Sequence, residues 1–167
     1  ITNHTQNCQN KPLKLIKNID QINEKQWYIG TNSGQFILTE TSPNQFSISK
    51  PMIDIDIHVS GKDSFGNFWF GSTNALFWVG RNKIIKYTTT QGLTSGFIFT
   101  VTADKKGNIY LGSNLGIDKV NVSKEGKILD IRNFNSKNGF TGLETNERAQ
   151  TVDDEGNMYF GTANGLY

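Results

Sequence analysis

Apolar and polar residues alternate in short blocks along this chain. One stretch shows the pattern clearly, with apolar blocks at Ile55–Gly61, Phe68–Gly71, Leu76–Val79 and Lys83–Tyr87 separated by short polar turns. Blocks of this length bounded by turn residues predict β-strands, and apolar residues do not recur at the 3.6-residue spacing that a helix requires. Four short strands within about forty residues are typical of one antiparallel blade of a β-propeller. The pattern therefore predicts an all-β chain.

The same block pattern recurs four times. Each copy has an apolar residue, an aromatic residue, a second apolar residue, a glycine and then a hydroxyl residue. The four copies are Trp27-Tyr-Ile-Gly30-Thr, Phe68-Trp-Phe-Gly71-Ser, Ile109-Tyr-Leu-Gly112-Ser and Met158-Tyr-Phe-Gly161-Thr. Their glycines lie 41, 41 and 49 residues apart. A fixed period of this size indicates a repeat architecture.

A turn precedes three of the four copies. It reads Asp63-Ser-Phe-Gly-Asn67, Asp104-Lys-Lys-Gly-Asn108 and Asp153-Asp-Glu-Gly-Asn157. An aspartate can accept hydrogen bonds from the amides of a tight turn, and a glycine three residues later tolerates a positive φ, so the spacing predicts a hairpin loop. The acidic run at Asp153 also suggests calcium, but it lacks the ligand spacing of a calcium loop, and we favour the hairpin. The first copy, at Asn23-Glu-Lys25, lacks both signals.

The repeats divide the chain into approximately residues 11–50, 51–90, 91–136 and 137–167, and we expect residues 1–167 to form a single propeller segment. The last repeat stops where its outermost strand should follow, so the expectation is about three and a half four-stranded antiparallel blades. Trp27, Trp69 and Trp78 could stack on a sugar, but their places on strands predict packing between blades instead.

The repeat resembles that of the two-component regulator propeller family, whose blades read Asp-x-x-Gly-Asn, aliphatic, aromatic, aliphatic, Gly-Thr-x-x-Gly-Leu-Tyr. The match is closest at Asp153–Tyr167 and extends over about residues 18–167. Gln91-Gly-Leu-Thr-Ser95 and Asn138-Gly-Phe-Thr-Gly-Leu-Glu-Thr-Asn146 resemble the phrase that joins blades in this family. The first copy matches least, and Leu115-Gly-Ile-Asp118 departs from the usual aromatic ending.

The resemblance implies a function. Such propellers form the extracytoplasmic sensor of membrane-anchored histidine kinases or hybrid kinases, are common in Bacteroidetes, and often respond to glycans or their breakdown products. It implies that this chain is the periplasmic or extracytoplasmic part of a sensor, binding a small molecule or glycan fragment and signalling to a kinase outside the chain. Any attachment to a membrane would run through segments that the chain does not contain.

Composition narrows the classes of partner. Hydrophobic residues make up 35% of the chain, and 17 basic against 15 acidic residues give a net charge of +2 without charged blocks. Nucleic-acid binding is therefore not expected. The chain lacks an apolar run of the roughly 18 residues that span a membrane. We expect it to be part of a longer protein, with further blades or a second copy completing the ring, because an open blade would leave apolar surface exposed.

Residues suited to catalysis are sparse. Cys8 is the one cysteine, so it cannot form an internal disulfide, and we expect an incidental thiol. His4 and His58 lack acidic neighbours at a metal-ligand spacing, and His58 on an inner strand is expected to be structural. The sequence thus predicts neither catalytic residues nor a metal or cofactor site, although carboxylates from different blades could still converge.

Ligand binding is expected at the loops that enter the innermost strands and at the turns that join the middle strands. The third repeat spacing is eight residues longer than the others. Comparing residues 92–107 with 139–156 assigns two of the extra residues to the last interblade loop. That loop carries Glu144, Asn146 and Arg148, whose polar groups suit a sugar or a carboxylate. A solvated loop without a ligand remains the alternative.

Two other functions remain open. The propeller could serve as a scaffold for protein interactions, or less favourably as a lyase or hydrolase with His, Arg or carboxylate side chains converging at the channel mouth.

Overall fold

The computed structural model describes residue 13 and residues 15–80 and 82–167. Within this described part, the regular elements are β-strands and a 3₁₀ helix at Thr89–Gln91. The strands form four antiparallel sheets, and the strands of each sheet lie side by side in chain order. The predicted all-β class is confirmed. Cys8 and His4 lie outside the described residues.

The chain divides into two compact units, Ile1–His58 and Val59–Tyr167. The first unit contains the sheet that we call blade 1. Its strands are β1 (Ile16–Asn23), β2 (Gln26–Thr31), β3 (Gly34–Ser42) and β4 (Gln45–Ile48). In β2 the residues alternate between the two faces of the sheet, and Trp27 packs its ring 6.2 Å from that of Phe46.

The second unit contains three sheets, although the first two residues of β5, Ile57 and His58, belong to the first unit. Blade 2 consists of β5 (Ile57–Lys62), β6 (Phe68–Ser72), β7 (Leu76–Val79) and β8 (Ile84–Tyr87). Blade 3 consists of β9 (Ile98–Ala103), β10 (Asn108–Ser113), β11 (Gly116–Val122) and β12 (Ile128–Phe134). Blade 4 has three strands, β13 (Thr145–Val152), β14 (Met158–Thr162) and β15 (Gly165–Leu166). The prediction of three complete blades and an incomplete fourth is therefore confirmed.

The largest core of the second unit lies between blades 2 and 3. It joins side chains from Trp69, Leu76, Trp78 and Tyr87 of blade 2 to Val101, Ile109, Leu111 and Val120 of blade 3. Because side chains alternate across a strand, the opposite face of blade 3 is free to pack elsewhere. There, Ile117 and Tyr110 meet Phe160 and Met158 of blade 4 in a smaller cluster. Trp69 and Trp78 are buried packing residues, as predicted.

The repeat glycines mark the places where the next blade crosses. A Cβ built at Gly71 would lie 2.6 Å from Val59 Cγ1 and 2.8 Å from Ile98 Cβ, the latter on the first strand of blade 3. One built at Gly112 would lie 2.6 Å from Thr145 Oγ1, on the first strand of blade 4. A side chain at either position would force adjacent blades apart, so close packing explains the glycine in these copies.

The hydroxyl residue after each glycine closes the next turn. Its oxygen donates to the carbonyl three residues later, at 2.9–3.1 Å. The pairs are Thr31 with Gly34, Ser72 with Ala75, Ser113 with Gly116 and Thr162 with Gly165. Such local bonds fix the middle turn of each blade, and the middle turns of blades 3 and 4 contribute to the site described next.

Candidate ligand-binding site

A pocket of about 590 Å³ lies between blades 3 and 4, within the second unit. It is formed by the middle turns of both blades and by the loop that joins them, which are the kinds of loop at which ligand binding was expected. Its lining consists of Thr94, Asn114, Leu115, Gly116, Asn135, Ser136, Lys137, Thr141, Gly142, Leu143, Glu144 and Ala163. This volume falls in the range of small-molecule sites.

The lining combines apolar surface with a few polar groups. Leu115 and Leu143 expose 50% and 63% of their surface, so apolar area is available to a ligand. Lys137 and Glu144 add one charge of each sign, and Asn114 and Asn135 add amides. Amides and charges can orient a ligand by hydrogen bonding, while the leucines contact its carbon skeleton.

Hydrogen bonds hold the rim of the pocket in place. Asn164 Oδ1 accepts a bond of 2.8 Å from the amide of Leu143, and its Nδ2 donates at 3.3 Å to the carbonyl of Thr141. The amide of Ala163 donates at 3.0 Å to the carbonyl of Glu144. The interblade loop is therefore tied to the middle turn of blade 4, and its backbone is ordered before a ligand arrives.

The buried Asp118 anchors the other side. Its Oδ2 accepts a bond of 2.8 Å from the amide of Thr94, and its Oδ1 accepts one of 2.8 Å from Asn133 Nδ2. Asp118 thus links the loop before β9 to strand β12 beside the pocket. A buried carboxylate with both oxygens engaged has a structural role.

The three predicted site residues do not all lie where the sequence placed them. Glu144 lines the pocket, in the interblade loop as expected. Asn146 and Arg148 instead belong to β13, the first strand of blade 4. The sequence contained no signal for this, because the loop and the strand are both polar here.

The two extra residues also lie in β13 and not in the interblade loop. Gly92 to Ile98 and Gly139 to Thr145 have the same length, so the two interblade loops match. In β13, Thr145 pairs with Thr162 and the next pair is Gln150 with Phe160, so the intervening residues form a wide bulge. The prediction was wrong on this point, because residue counts between glycines cannot distinguish a loop insertion from a bulge.

The bulge, defined as residues 146–149, presents a charged pair. Arg148 Nη2 lies 3.7 Å from Glu147 Oε1, and both side chains are exposed. Arg148 has a φ of 59°, a left-handed conformation that is uncommon for a residue other than glycine. β13 lies against β9, so the bulge is on the strand that adjoins the first strand of blade 3. Bulges often re-aim side chains beside functional sites.

Sequence reasoning missed several pocket residues, notably Asn135, Lys137, Asn114, Leu115 and Leu143. The general expectation that interblade loops and middle turns form the site does include them. The sequence did not show which blades would form the pocket, so these positions on blades 3 and 4 were identified only from the structure.

His58 contributes to an ion-pair cluster in the first unit. Lys17 Nζ lies 2.7 Å and 2.9 Å from the two carboxylate oxygens of Asp56 and 3.0 Å from His58 Nδ1. His58 Nε2 lies 3.8 Å from Asp56 Oδ2. The ammonium has three acceptors, which is the arrangement of a structural ion pair. Among the described residues, no group of three or more His, Cys, Asp or Glu side chains is placed to hold a metal ion.

In the described part of the chain, none of the helical segments has the length and apolar character needed to cross a membrane.

Comparison with solved structures identifies the fold as that of a β-propeller segment. The extracellular domain of one hybrid two-component system from B. thetaiotaomicron superposes with a TM-score of 0.66 at 17% identity, over 90% of this chain. That of a second such system from the same organism gives 0.67 at 17% identity, over 99% of this chain. This chain spans 27% of each of those chains.

An enzyme shares the fold as well. Virginiamycin B lyase from Staphylococcus aureus matches with a TM-score of 0.60 at 15% identity, over 89% of this chain and 53% of its own. No family model matches this chain. No curated protein matches its sequence either. At these identities the likeness establishes the fold, and function must be argued from the site.

Proposed function

We propose that this chain is a ligand-sensing propeller segment of an extracytoplasmic sensor in a two-component signalling protein. In this proposal it binds a small molecule or glycan fragment, and occupancy passes to a kinase outside the chain. The observation that carries the proposal is the pocket of about 590 Å³ built from the interblade loop and the middle turns of blades 3 and 4. The likeness to extracellular domains of two-component systems supports the same role.

The pocket chemistry suits a ligand with hydroxyl or amide groups on a carbon skeleton. Asn114, Asn135 and Glu144 offer donors and acceptors, and Leu115 and Leu143 offer apolar contact. Sugars present this combination of polar edges and apolar faces. Glu144 is the residue that we expect to orient the ligand, because a carboxylate accepts strong hydrogen bonds from hydroxyl groups.

Titration of the ¹⁵N-labelled chain with a panel of neutral mono- and oligosaccharides tests the proposal. A ligand should shift the amide signals of residues 114–116, 135–137 and 141–144. Glu144→Gln should weaken its binding about tenfold, the loss expected for one charge-assisted hydrogen bond. The matched control is Glu125→Gln, which changes an exposed glutamate in the turn between β11 and β12. Equal affinity of both variants and the original chain would contradict the assigned site.

Coupling to a kinase is tested on the full-length protein. A reading frame that encodes neither a membrane helix nor a kinase after the propeller would contradict the sensor proposal. If sugars fail to bind and a protein partner is retained at the blade surfaces, the propeller is an interaction scaffold.

An enzymatic role is the second candidate, favoured by the fold shared with a lyase and by the carboxylate–guanidinium pair at Glu147 and Arg148. It predicts turnover of a bound substrate that Arg148→Ala abolishes. Binding without turnover in the sugar panel would favour the sensor.

A further inference from the structure

A second pocket lies between blades 3 and 4 at the opposite end of their strands. It has a volume of about 520 Å³ and lies where the hairpin turns β9–β10 and β13–β14 approach each other. We call it the lysine pocket. Its lining consists of Ala103, Asp104, Lys105, Lys106, Tyr110, Lys119, Val152, Glu155, Gly156 and Met158. The ligand-binding site proposed above does not use any of these residues.

A change of residue type at one repeat position accompanies this pocket. In blade 2, Trp78 pairs with Trp69 across the sheet and is 5% exposed in the core against blade 3. In blade 3 the equivalent pair is Lys119 with Tyr110. Trp78 fills the space between its blade and the next one. Lys119 instead lines an open pocket, because its slender chain occupies less volume than an indole and ends in a charge that favours water.

Positive charge accumulates around Lys119. Its ammonium lies 5.6 Å from the centre of the Tyr110 ring, and the Cα partner of Lys119 on the next strand is Arg132. Like charges placed directly opposite each other destabilise a sheet. Lys105 and Lys106 add two exposed ammonium groups from the β9–β10 turn. A bound anion would relieve this repulsion.

The two carboxylates in the lining differ in how far their oxygens are engaged by neighbouring groups. Asp104 is used by its own turn, since Oδ1 accepts from the amides of Lys106 and Asn108 at 2.8 and 2.9 Å. Its Oδ2 accepts from Asn108 Nδ2 at 2.6 Å and from the Tyr110 hydroxyl at 3.2 Å. Glu155 is exposed and lies 3.4 Å from Asn157 Nδ2. The lining therefore holds three ammonium groups against two carboxylates, and the oxygens of Asp104 are already engaged within its turn.

We propose that the lysine pocket binds a small organic anion with two or more carboxylates. The ammonium groups of Lys105, Lys106 and Lys119 bind the carboxylates, and Val152, Met158 and the Tyr110 ring contact the carbon skeleton. The volume is suited to a molecule of this size. Binding there is independent of the sugar site, because the two pockets open at opposite ends of the strands.

Citrate is the probe, added to the full chain at constant ionic strength and followed by calorimetry and by amide shifts at residues 103–106 and 152–156. Lys119→Gln should weaken binding about tenfold, and Lys119→Trp, which restores the residue of blade 2, should fill the pocket and abolish binding. Lys86→Gln is the matched control, because Lys86 also lies over an aromatic ring, that of Phe77, outside the pocket.

Lys106→Gln, at an exposed turn position, provides a second test that does not depend on the folding of the Lys119 variants, and it should also weaken citrate binding. Failure of the original chain to bind citrate would overturn the proposal. Equal binding by Lys119→Gln, Lys106→Gln and Lys86→Gln would overturn it as well, because the attraction would then arise from overall charge.

Discussion

Trp69 Nε1 donates a hydrogen bond of 2.9 Å to Asp63 Oδ2, joining the aromatic residue of the repeat to the aspartate of the preceding turn. Tyr110 and Tyr159 donate in the same way, at 3.2 Å and 3.0 Å, to Asp104 and Asp153. The two repeat positions therefore depend on each other. The aspartate closes its turn and also satisfies the polar end of the repeat's aromatic side chain.

Replacing Asp63 by alanine should destabilise the chain by about 3 kcal/mol, because the buried indole N–H and the turn amides would lose their acceptor. Asp63 also accepts from the amides of Phe65 and Asn67 at 2.9 Å and from Asn67 Nδ2 at 3.1 Å. Denaturant unfolding measures the change. Asp154→Ala, an exposed position in the equivalent turn of blade 4, should change the free energy of unfolding by less than about 0.5 kcal/mol. Equal effects of the two variants would show that the turn aspartate has no special role.

The environment of Asp104 leads us to predict that the stability of the chain falls at low pH. Burial is the largest single effect on its pKa and acts to raise it, but the combined hydrogen bonds from Asn108, the Lys106 amide and Tyr110 hold the pKa below the ordinary value of 3.8. A carboxyl whose pKa is lower in the folded state contributes stability above pH 3.8, and this contribution is lost as the pH falls through the folded-state pKa. Asp104→Asn should therefore lower Tm near neutral pH and converge with the original chain in acid. A constant difference in Tm at all pH values would contradict the assignment.

The blade positions were predictable from the sequence, because the period of the apolar, aromatic and glycine columns is set by local strand and turn preferences. Glycine recurs at 71 and 112 since the next blade crosses there, and this packing restricts the residue type. The hydrogen bond from Trp69 to Asp63 was not predicted, although its two columns were. Their contact depends on the hairpin register, which sequence spacing alone does not define.

The pockets were less predictable than the blades. Glu144 lies in the interblade loop as expected, because these loops occur at fixed points in the repeat. Asn146 and Arg148 were misplaced, since a bulge and a longer loop contain the same number of residues. The aligned repeats show that Lys119 occupies the position of Trp78. The sequence does not show that side chains at this position face the next blade, so the open pocket beside Lys119 could not be predicted.

Arg148 predicts a gain in stability on substitution by glycine. Its φ of 59° costs a residue with a Cβ about 1 kcal/mol relative to glycine. Arg148→Gly should therefore raise the free energy of unfolding by up to about that amount, while removing the pair with Glu147. Arg148→Ala is the matched variant, because it removes the same side chain and keeps the left-handed strain. If glycine and alanine have the same effect on unfolding, backbone strain at this bulge is absent.

The far face of blade 4 predicts self-association. In blades 2 and 3 the face that carries the repeat aromatic and glycine is covered by the following blade. In blade 4 the equivalent face includes Gly161 and its partner Leu166, which is 72% exposed. Exposed apolar sheet surface favours association, so we propose that further blades or a second copy of the chain cover this face. Light scattering should show a mass that rises with concentration, and Leu166→Lys should reduce it. Leu129→Lys is the matched control and should not change the mass. Leu129 is also an exposed leucine (58%), but it lies on β12, the outer strand of blade 3, and not on the far face of blade 4. A chain that stays monomeric at every concentration would contradict this interface.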